Sequence, residues 1–274
     1  FPSIMGIEIA GTVEQVGEGV TRFQPGDRVC TKAFSSCGQC RHCRSGRETT
    51  CRQRKVVKGG YAEYVALAED AAVAIPDDMP FEIACLIGPG AGVALNAVRD
   101  TAHVQIGDTV LVTGAGTIGC MSVIAARLAG AGRVLCSDPS DRAREMALTV
   151  GADDAQPDTS AWQGQVDVAI EAAGHPAALA GCLSAVRRGA RIVQVGTLPP
   201  ELPFPANDIM TRELDYVGAF RADIEFDWAV QAIRSRRADV RPLISAQIPI
   251  SESKAAFDLA LDRSRSTKVQ LIPG

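Results

Sequence analysis

The strongest constraint on the fold is a glycine-rich turn placed between a strand pattern and a helix pattern. The apolar run Thr109–Thr113 leads into Gly114-Ala-Gly116-Thr-Ile-Gly119, and a helical apolar pattern follows over Ile118–Ala129. In this order the first glycine permits a tight turn, the second lets the backbone approach a pyrophosphate, and the third lets helix and strand pack closely. Phosphates at such a turn bind to the free N–H groups and the positive dipole end of the helix. The segment therefore predicts a nicotinamide-dinucleotide site.

An acidic residue after the next strand indicates the type of dinucleotide. The predicted strand Arg133–Ser137 ends at Asp138, about 20 residues beyond the last glycine, where an acid accepts hydrogen bonds from the adenosine-ribose hydroxyls. A carboxylate there repels the 2′-phosphate of NADP, so we expect NAD. Arg142 follows four residues later and is either a phosphate contact or a solvated charge in the first turn of a helix.

Strands alternate with helices through the middle of the chain, which predicts an α/β fold with a doubly wound parallel sheet. The loops after strands ending near Glu171 and Val195 are expected at the carboxyl edge, where open sheets bind ligands. The predicted strands of this part are 109–113, 133–137, 154–156, 166–170, 191–195 and 214–218, and the predicted helices are 91–102, 118–129, 140–150 and 176–187. Farther on, we predict helix 226–235, strand 244–248, helix 255–262 and strand 267–272.

Four cysteines share the spacing C-x2-C-x2-C-x7-C, namely Cys37, Cys40, Cys43 and Cys51. Four thiolates at this spacing suit a closed tetrahedral zinc in a small loop, and a closed site stabilises structure rather than binding substrate. Three cysteines within seven residues cannot all form local disulfides with sound geometry. We therefore expect one structural zinc per chain and, because thiolates persist in reducing compartments, a cytoplasmic protein.

Composition excludes several partner classes. The chain has 274 residues, a formal net charge of −4 and 46% hydrophobic residues, which fits one large or two modest domains. This charge gives no indication of a nucleic-acid or anionic-membrane partner. Neither a membrane span nor a signal peptide is expected. Because Phe1 already lies within a folded-looking pattern, we expect the chain to begin part-way through its first domain.

The front of the chain reads as a meander of short strands. Residues 7–16 alternate in polarity, glycines at 17 and 19 interrupt the pattern, a turn follows at 25–27, and a further strand is expected at 60–65. The segment MGIEIAGTVEQVGEGVTRFQPGDRV, residues 5–29, and the cysteine loop resemble the medium-chain dehydrogenase/reductase superfamily of the zinc-alcohol-dehydrogenase type. The resemblance implies a β-rich GroES-like catalytic domain at 1–90, a Rossmann NAD-binding domain at 91–220, and a return to the catalytic domain at 221–274.

Within this superfamily, the segments AGHPAAL, RIVQVG, ELDYVGAFR, FDWAV and KVQL most resemble polyol dehydrogenases. The resemblance implies backbone contacts to the cofactor near Gly174, Gly196, Thr197 and Phe220, and a basic phosphate-side position at Lys268. The expected cofactor-binding set is Gly114, Gly116, Thr117, Ile118, Gly119, Asp138, Arg142, Gly174, Gly196, Thr197, Phe220 and Lys268.

The ligands of a catalytic zinc are not found where the resemblance places them. Ile7 stands in place of a zinc-binding histidine, and Gly88-Pro89 stands where the polyol branch has Glu-Pro and the alcohol branch a cysteine. No catalytic residue is therefore assigned. Three functions stay open: an NAD-dependent dehydrogenase of a polyol or secondary alcohol, a zinc-independent reductase of an activated alkene or quinone, and a non-catalytic NAD-binding paralogue. For the first two, the partner is a small-molecule substrate. Homodimers or homotetramers are expected.

Overall fold

The computed structural model describes residues 3–273. Its strands are β1 (Ala10–Thr12), β2 (Arg28–Thr31), β3 (Phe34–Ser35), β4 (Lys55–Val56), β5 (Ala72–Ala74), β6 (Thr109–Thr113), β7 (Arg133–Ser137), β8 (Asp154–Gln156), β9 (Val166–Glu171), β10 (Val186–Gln194), β11 (Asp215–Gly218), β12 (Ile244–Pro249) and β13 (Lys268–Ile272). Its helices are α1 (Arg41–Arg44), α2 (Phe81–Thr101), α3 (Thr117–Ala129), α4 (Asp141–Thr149), α5 (Pro176–Ala185), α6 (Ala206–Thr211), α7 (Glu225–Arg234) and α8 (Ser253–Leu261). Short 3₁₀ turns lie at Glu48–Thr50, Glu69–Ala71, Ser160–Trp162, Arg241–Leu243 and Ile250–Glu252.

A six-stranded parallel sheet forms the centre of the protein, in the order β11-β10-β9-β6-β7-β8. The side chains of strand β6 show why the sheet must be covered on both faces. Val110 and Val112 belong to one buried apolar cluster, and Leu111, which points the other way, belongs to a second cluster. Apolar side chains on both faces of a parallel strand require a helical layer on each side. The doubly wound α/β fold is confirmed.

Strand β10 differs from the prediction. The predicted helix 176–187 ends at Ala185, and the chain passes directly into a strand at Val186, which pairs with Val166. The register then shifts between Val186 and Arg191, and Gly189 within this stretch has a φ of +71°. The expected helix was too long because an apolar run does not distinguish the end of a buried helix from the start of a buried strand.

The front of the chain forms an antiparallel sheet, β1-β2-β5, with less regular structure than expected. The predicted alternation over residues 7–16 is realised as a strand only at Ala10–Thr12. Residues 60–65, predicted as a strand, are irregular in the structure. They contact the segment before β1 through bonds from Gly60 N to Gly6 O (3.1 Å) and from Tyr61 N to Met5 O (2.9 Å). Gly6 has a φ of +97°, so the chain cannot continue there as a regular strand.

Helix α2 begins ten residues before the predicted helix 91–102 and carries two wide turns. Ala91 N donates to Leu86 O and Ala102 N to Ala97 O, both at 2.9 Å across five residues. The first wide turn follows from Pro89, which has no N–H to continue the regular ladder. By length and composition alone this helix could cross a membrane, but 61% of its most apolar window is buried inside the protein. It is a core helix.

The C-terminal part contacts both preceding parts. Phe226 of α7 is 2% exposed and lies in the same apolar cluster as α2. In the parallel pair β12–β13, Gln270 Nε2 donates to Glu82 O of α2 at 2.7 Å. Thr117 Oγ1 donates to Thr267 O at 3.0 Å, which connects this pair to the glycine-rich turn. The predicted division at residues 90 and 220 stays a prediction.

A buried carboxyl group of α7, Glu225, which lies beside the exposed Asp100 of α2, generates a prediction about pH. Glu225 is 3% exposed, and burial together with a hydrogen bond to Asp100 raises its pKa to about 7. A carboxyl pKa that is higher in the folded than in the unfolded protein makes the folded state bind more protons, so stability falls as pH rises between about 4.5 and 7.

Between about pH 4.5 and 7, the free energy of unfolding should fall by about 1–2 kcal/mol after allowance for solvent screening. We expect Glu225→Gln to remove most of this fall. Denaturant melts from pH 4.5 to 8 measure it. The surface variant Glu145→Gln is the control, and an unchanged pH slope in Glu225→Gln would contradict the assignment.

Candidate dinucleotide site and metal centre

The three glycines of the turn after β6 have different surroundings. A Cβ on Gly119 would lie 1.8 Å from Gly114 O, and a Cβ on Gly114, whose φ is +89°, would lie 2.8 Å from Ala173. A Cβ on Gly116 would meet nothing within 4 Å. The first and third glycines are therefore required for packing, whereas the second leaves a space at the surface where a ligand can approach the backbone.

The start of helix α3 has the features of an anion-binding position. Its N-cap Gly116 makes no side-chain capping bond, and the first N–H groups of a helix have no intrahelical partner. Thr117 uses its hydroxyl on Thr267 O, so its expected contact with the cofactor is through the backbone. Ile118 is partly exposed beside it. Free N–H groups and the helix dipole together favour a phosphate here.

Asp138 lies at the end of β7, as predicted, and is linked to the turn. Its Oδ2 accepts from Ala115 N and its Oδ1 from Ser140 N, both at 2.9 Å. An ionised carboxylate offers about four acceptor positions, so two bonds leave capacity for a ribose hydroxyl. The carboxylate thus both shapes the turn and presents negative charge to the adenosine side.

The two predicted basic contacts are directed toward protein groups. Arg142 Nη2 lies 3.4 Å from Ser245 Oγ, while its Nε is buried without a hydrogen-bond partner. Lys268 Nζ forms a short ion pair with Glu8 of the front part. Both residues lie near the C-terminal strand pair that contacts the turn, and their contact with a cofactor stays a prediction.

The loops after β9 and β10 meet closely at the carboxyl edge. A Cβ on Gly174, whose φ is +65°, would lie 2.7 Å from Thr197 O, and one on Gly196 would lie 2.2 Å from Gly174 N. Glu171, to which the sequence analysis assigned no role, contacts both loops. Its backbone carbonyl accepts from Val195 N (2.8 Å) and Gly196 N (2.9 Å) of the loop after β10. Its Oε1 accepts from Ala173 N (3.0 Å) and Gly174 N (2.8 Å), and its side chain is fully buried.

Burial raises the pKa of Glu171, while the backbone N–H bonds oppose that shift. Its second oxygen, Oε2, is buried and has no partner among the described residues. A lone acid at the end of an apolar strand was the only sequence signal for this role.

Phe220 follows β11 at the outer edge of the sheet and is 58% exposed. Two arginines contact its ring: Arg54 Cζ lies 5.2 Å from the ring centroid and Arg221 Cζ 4.8 Å. The sequence analysis assigned neither of them to the site. Arg54 comes from the loop after the fourth cysteine of the cluster, Cys51, and only the folding of the chain brings it close to Phe220.

The four predicted zinc ligands come together. Their Sγ atoms all lie within 4.8 Å of one another, with Cys40–Cys43 at 3.4 Å and Cys37–Cys51 at 3.6 Å. A tetrahedral zinc with bonds of about 2.3 Å needs sulfur–sulfur distances of about 3.8 Å. Hydrogen bonds from the N–H groups of Gln39 and Cys40 lower the pKa of Cys37 to about 6, which favours a thiolate. The donor set fits a structural zinc.

The position expected for a catalytic zinc holds different chemistry. Among residues 3–273, the cysteine cluster alone supplies three or more candidate ligands close together. Near Gly88, the carboxylate of Glu8 pairs with Lys268, and Cys85 Sγ lies 3.1 Å from Gln270 Nε2. A Cβ on Gly88 would lie 2.3 Å from Thr31 O, so the backbone there leaves no room for a ligand side chain. These residues do not fit a second zinc.

Two family models match the chain. The model described as alcohol dehydrogenase GroES-like domain matches residues 1–77, and the model described as zinc-binding dehydrogenase matches residues 117–235. The first covers the β1-β2-β5 sheet and the cysteine loop, and the second covers α3 and most of the parallel sheet.

Curated relatives and solved structures agree with these models. An L-threonine 3-dehydrogenase of Anaeromyxobacter sp. (strain Fw109-5) is 33% identical over 98% of this chain and 82% of its own length. A sorbitol dehydrogenase of Bacillus subtilis (strain 168) is 32% identical over 99% and 81%. The crystal structure of L-idonate 5-dehydrogenase from Escherichia coli K-12 superposes with a TM-score of 0.89 at 27% identity, over 98% of this chain and 82% of that chain.

Mutation can separate the packing role of Gly119 from the role of Gly116, which leaves space for a ligand to approach the backbone. We expect Gly119→Ala to destabilise the fold by about 1–3 kcal/mol or more, because its methyl group overlaps a carbonyl oxygen. Gly116→Ala is the matched variant: its methyl group meets no protein atom, so the melting temperature should stay unchanged while NADH affinity falls by about tenfold. Thermal melts and NADH fluorescence measure both, and equal melting temperatures for the two variants would contradict the packing argument.

For the cysteine cluster, we expect elemental analysis to give one zinc per chain. Cys40→Ser should lose most of that metal and melt at a lower temperature, because the binding free energy of a structural zinc, on the order of 10–16 kcal/mol in small peptides, is coupled to folding. Cys85→Ser, outside the cluster, is the control and should retain its zinc. Full zinc content and unchanged melting in Cys40→Ser would refute the site.

Proposed function

The chain belongs to the zinc-binding dehydrogenase family with an alcohol dehydrogenase GroES-like front domain, and on that premise we propose that it is an NAD-dependent oxidoreductase acting on a polyol or secondary alcohol and the matching ketone. The observation that supports this most is the arrangement at the carboxyl edge. There, Gly116 opens the start of α3 to a phosphate and Asp138 presents a carboxylate at the end of the neighbouring strand. Together they fit an adenosine diphosphate without a 2′-phosphate.

In this proposal the cofactor lies along the strand ends, from β7 through β6, β9 and β10 to β11. When bound, the nicotinamide supplies the hydride chemistry. The protein holds it in place. Glu171 fixes the loop at Gly174 through two N–H bonds, the loop at Thr197 contacts Gly174, and Phe220 marks the far end with an exposed ring.

The family's usual substrate, an alcohol, fits the proposal, although the way its oxygen is activated in this chain differs. Among residues 3–273 no group of three candidate metal ligands lies near Gly88, whereas the Glu8–Lys268 ion pair lines a groove of about 1110 Å³. This pair favours one second candidate, a reductase of an activated alkene or quinone that needs no metal. We further propose that the protein is cytoplasmic, which the clustering of four cysteines at metal-ligand distances supports, and that it is a homodimer or homotetramer.

The preference for NAD tests the proposal. We expect NADH to bind more tightly than NADPH. Asp138→Ala should weaken the affinity for NADH by about tenfold or more, because the variant loses the acceptor for the ribose hydroxyls. It should also bring the two affinities closer together, because the variant no longer repels the 2′-phosphate of NADPH. Fluorescence titration of both cofactors measures this. Asp141→Ala removes an exposed acid nearby and should leave the ratio unchanged. Equal NADH and NADPH affinities in the unmodified protein would refute the assignment.

A further inference from the structure

The loop between β10 and α6, residues 195–205, carries one of the predicted cofactor contacts without forming a strand or a helix of its own. That residue is Thr197, which is exposed at the carboxyl edge of the sheet. A loop without regular backbone pairing holds such a residue in place only where other contacts fix it. Two side chains of the adjoining strands supply these contacts, and the sequence analysis assigned neither of them to the site.

The peptide groups on both sides of Gly196 are held. Gly196 N donates to Glu171 O at 2.9 Å, and Gly196 O accepts from Gln194 Nε2 at 3.1 Å. The glycine also lies against the loop after β9, since a Cβ on it would be 2.2 Å from Gly174 N. Thr197 therefore follows a residue whose position is fixed from two directions.

The amide of Gln194 has one orientation that satisfies both of its partners. A carbonyl oxygen only accepts hydrogen bonds, so Gly196 O requires the Nε2 side of the amide. The Oε1 atom then faces the next strand, where it accepts a short bond from the hydroxyl of Tyr216 in β11. Burial raises the pKa of Tyr216, and the carboxyl group of Glu171 adds to the rise, so the hydroxyl keeps its proton at neutral pH. The result is a hydrogen-bond chain that runs from Tyr216 through Gln194 to Gly196.

The ring of Tyr216 holds the same loop near its other end. It packs against Phe204 with the ring centroids 4.9 Å apart. Between the two ends, Leu198 and Leu202 pack, as Tyr216 does, against the apolar cluster on this face of the sheet. One residue of the outer strand thus contacts the end of the loop through its ring, and the start of the loop through its hydroxyl and Gln194.

The hydrogen-bond chain lies on the nicotinamide side of the proposed cofactor site. In the sheet order, β10 is two strands from β6, a separation of about 10 Å at ordinary strand spacing. Strand β7, which Asp138 follows, is the neighbour of β6 on the opposite side. Other residues therefore define the ribose and pyrophosphate positions, and a change at β10 acts on the far half of the cofactor.

We propose that Tyr216 and Gln194 are positioning residues for the nicotinamide half of the cofactor. Neither contacts the cofactor; they act through Gly196 and Thr197, whose backbone they keep in one place. When the support of a ligand-contacting loop is loosened, affinity falls because binding must then supply the cost of ordering the loop. The inference rests on the proposed dehydrogenase function and adds the residues that support its nicotinamide loop.

The variant Tyr216→Phe tests this, because it removes only the hydroxyl and keeps the ring against Phe204. It leaves Gln194 Oε1 without its donor, so we expect the affinity for NADH to fall by about three- to tenfold. ADP-ribose lacks the nicotinamide, and its affinity should stay unchanged. Fluorescence titration of NADH and calorimetric titration of ADP-ribose measure the two affinities. Tyr64→Phe removes the hydroxyl of a tyrosine that is 75% exposed; it is the matched control and should change neither affinity.

The variant Gln194→Met interrupts the same chain at its middle with a side chain of similar length. It should weaken the affinity for NADH by about tenfold and leave the affinity for ADP-ribose unchanged. The double variant of Tyr216 and Gln194 should lose no more NADH affinity than Gln194→Met alone, because both substitutions break one connected path.

Three results would each contradict the inference: unchanged NADH affinity in either single variant, equal losses for NADH and ADP-ribose, or losses that multiply in the double variant. In all three, NADH binding by the unmodified protein would leave the proposed function standing. An unmodified protein that binds neither NADH nor ADP-ribose would refute both the proposed function and the inference.

Discussion

The contact between the start of helix α3 and the turn after β6 is the constraint on which the candidate site depends. Gly119 packs against Gly114 O so closely that no side chain fits between them. This contact holds the free N–H groups of the helix at the carboxyl end of the central strand. Asp138 then ties the same turn to the end of β7 by a bond to Ala115 N. These two contacts align the positions at which we expect the phosphate and the ribose.

The remainder of the edge follows from parallel pairing. Because all strands of the central sheet run in one direction, their carboxyl ends meet on one side, and each contributes a loop. Glu171 joins two of these loops: its side chain accepts bonds from Ala173 N and Gly174 N after β9, and its backbone carbonyl accepts from Val195 N and Gly196 N after β10. At the outer strand the front part closes over the edge, and Arg221 bridges to it through Ala33 O. The loop after the four-cysteine cluster brings Arg54 to the same place. The loop that carries the four cysteines is therefore followed by a residue that reaches the outer end of the sheet edge.

Local patterns predicted most of this fold, and long-range contacts account for what they missed. Gly116 and the four cysteines were identified from spacing alone because their chemistry depends on near neighbours in the chain. Strand β1 is shorter than its alternating pattern indicated, since pairing depends on partners that a local pattern does not reveal. Arg54 and Arg221 are separated by most of the chain, so no periodicity relates them. The Glu8–Lys268 pair is hidden for the same reason.

The most direct test of the account is a crystal structure of the protein with NADH. The account predicts the adenosine ribose at Asp138, the pyrophosphate at the start of α3 beside Gly116, and the nicotinamide ring against Phe220 on the side that faces Arg54 and Arg221. A cofactor bound in the reverse direction, or one whose pyrophosphate avoids the glycine turn, would contradict it.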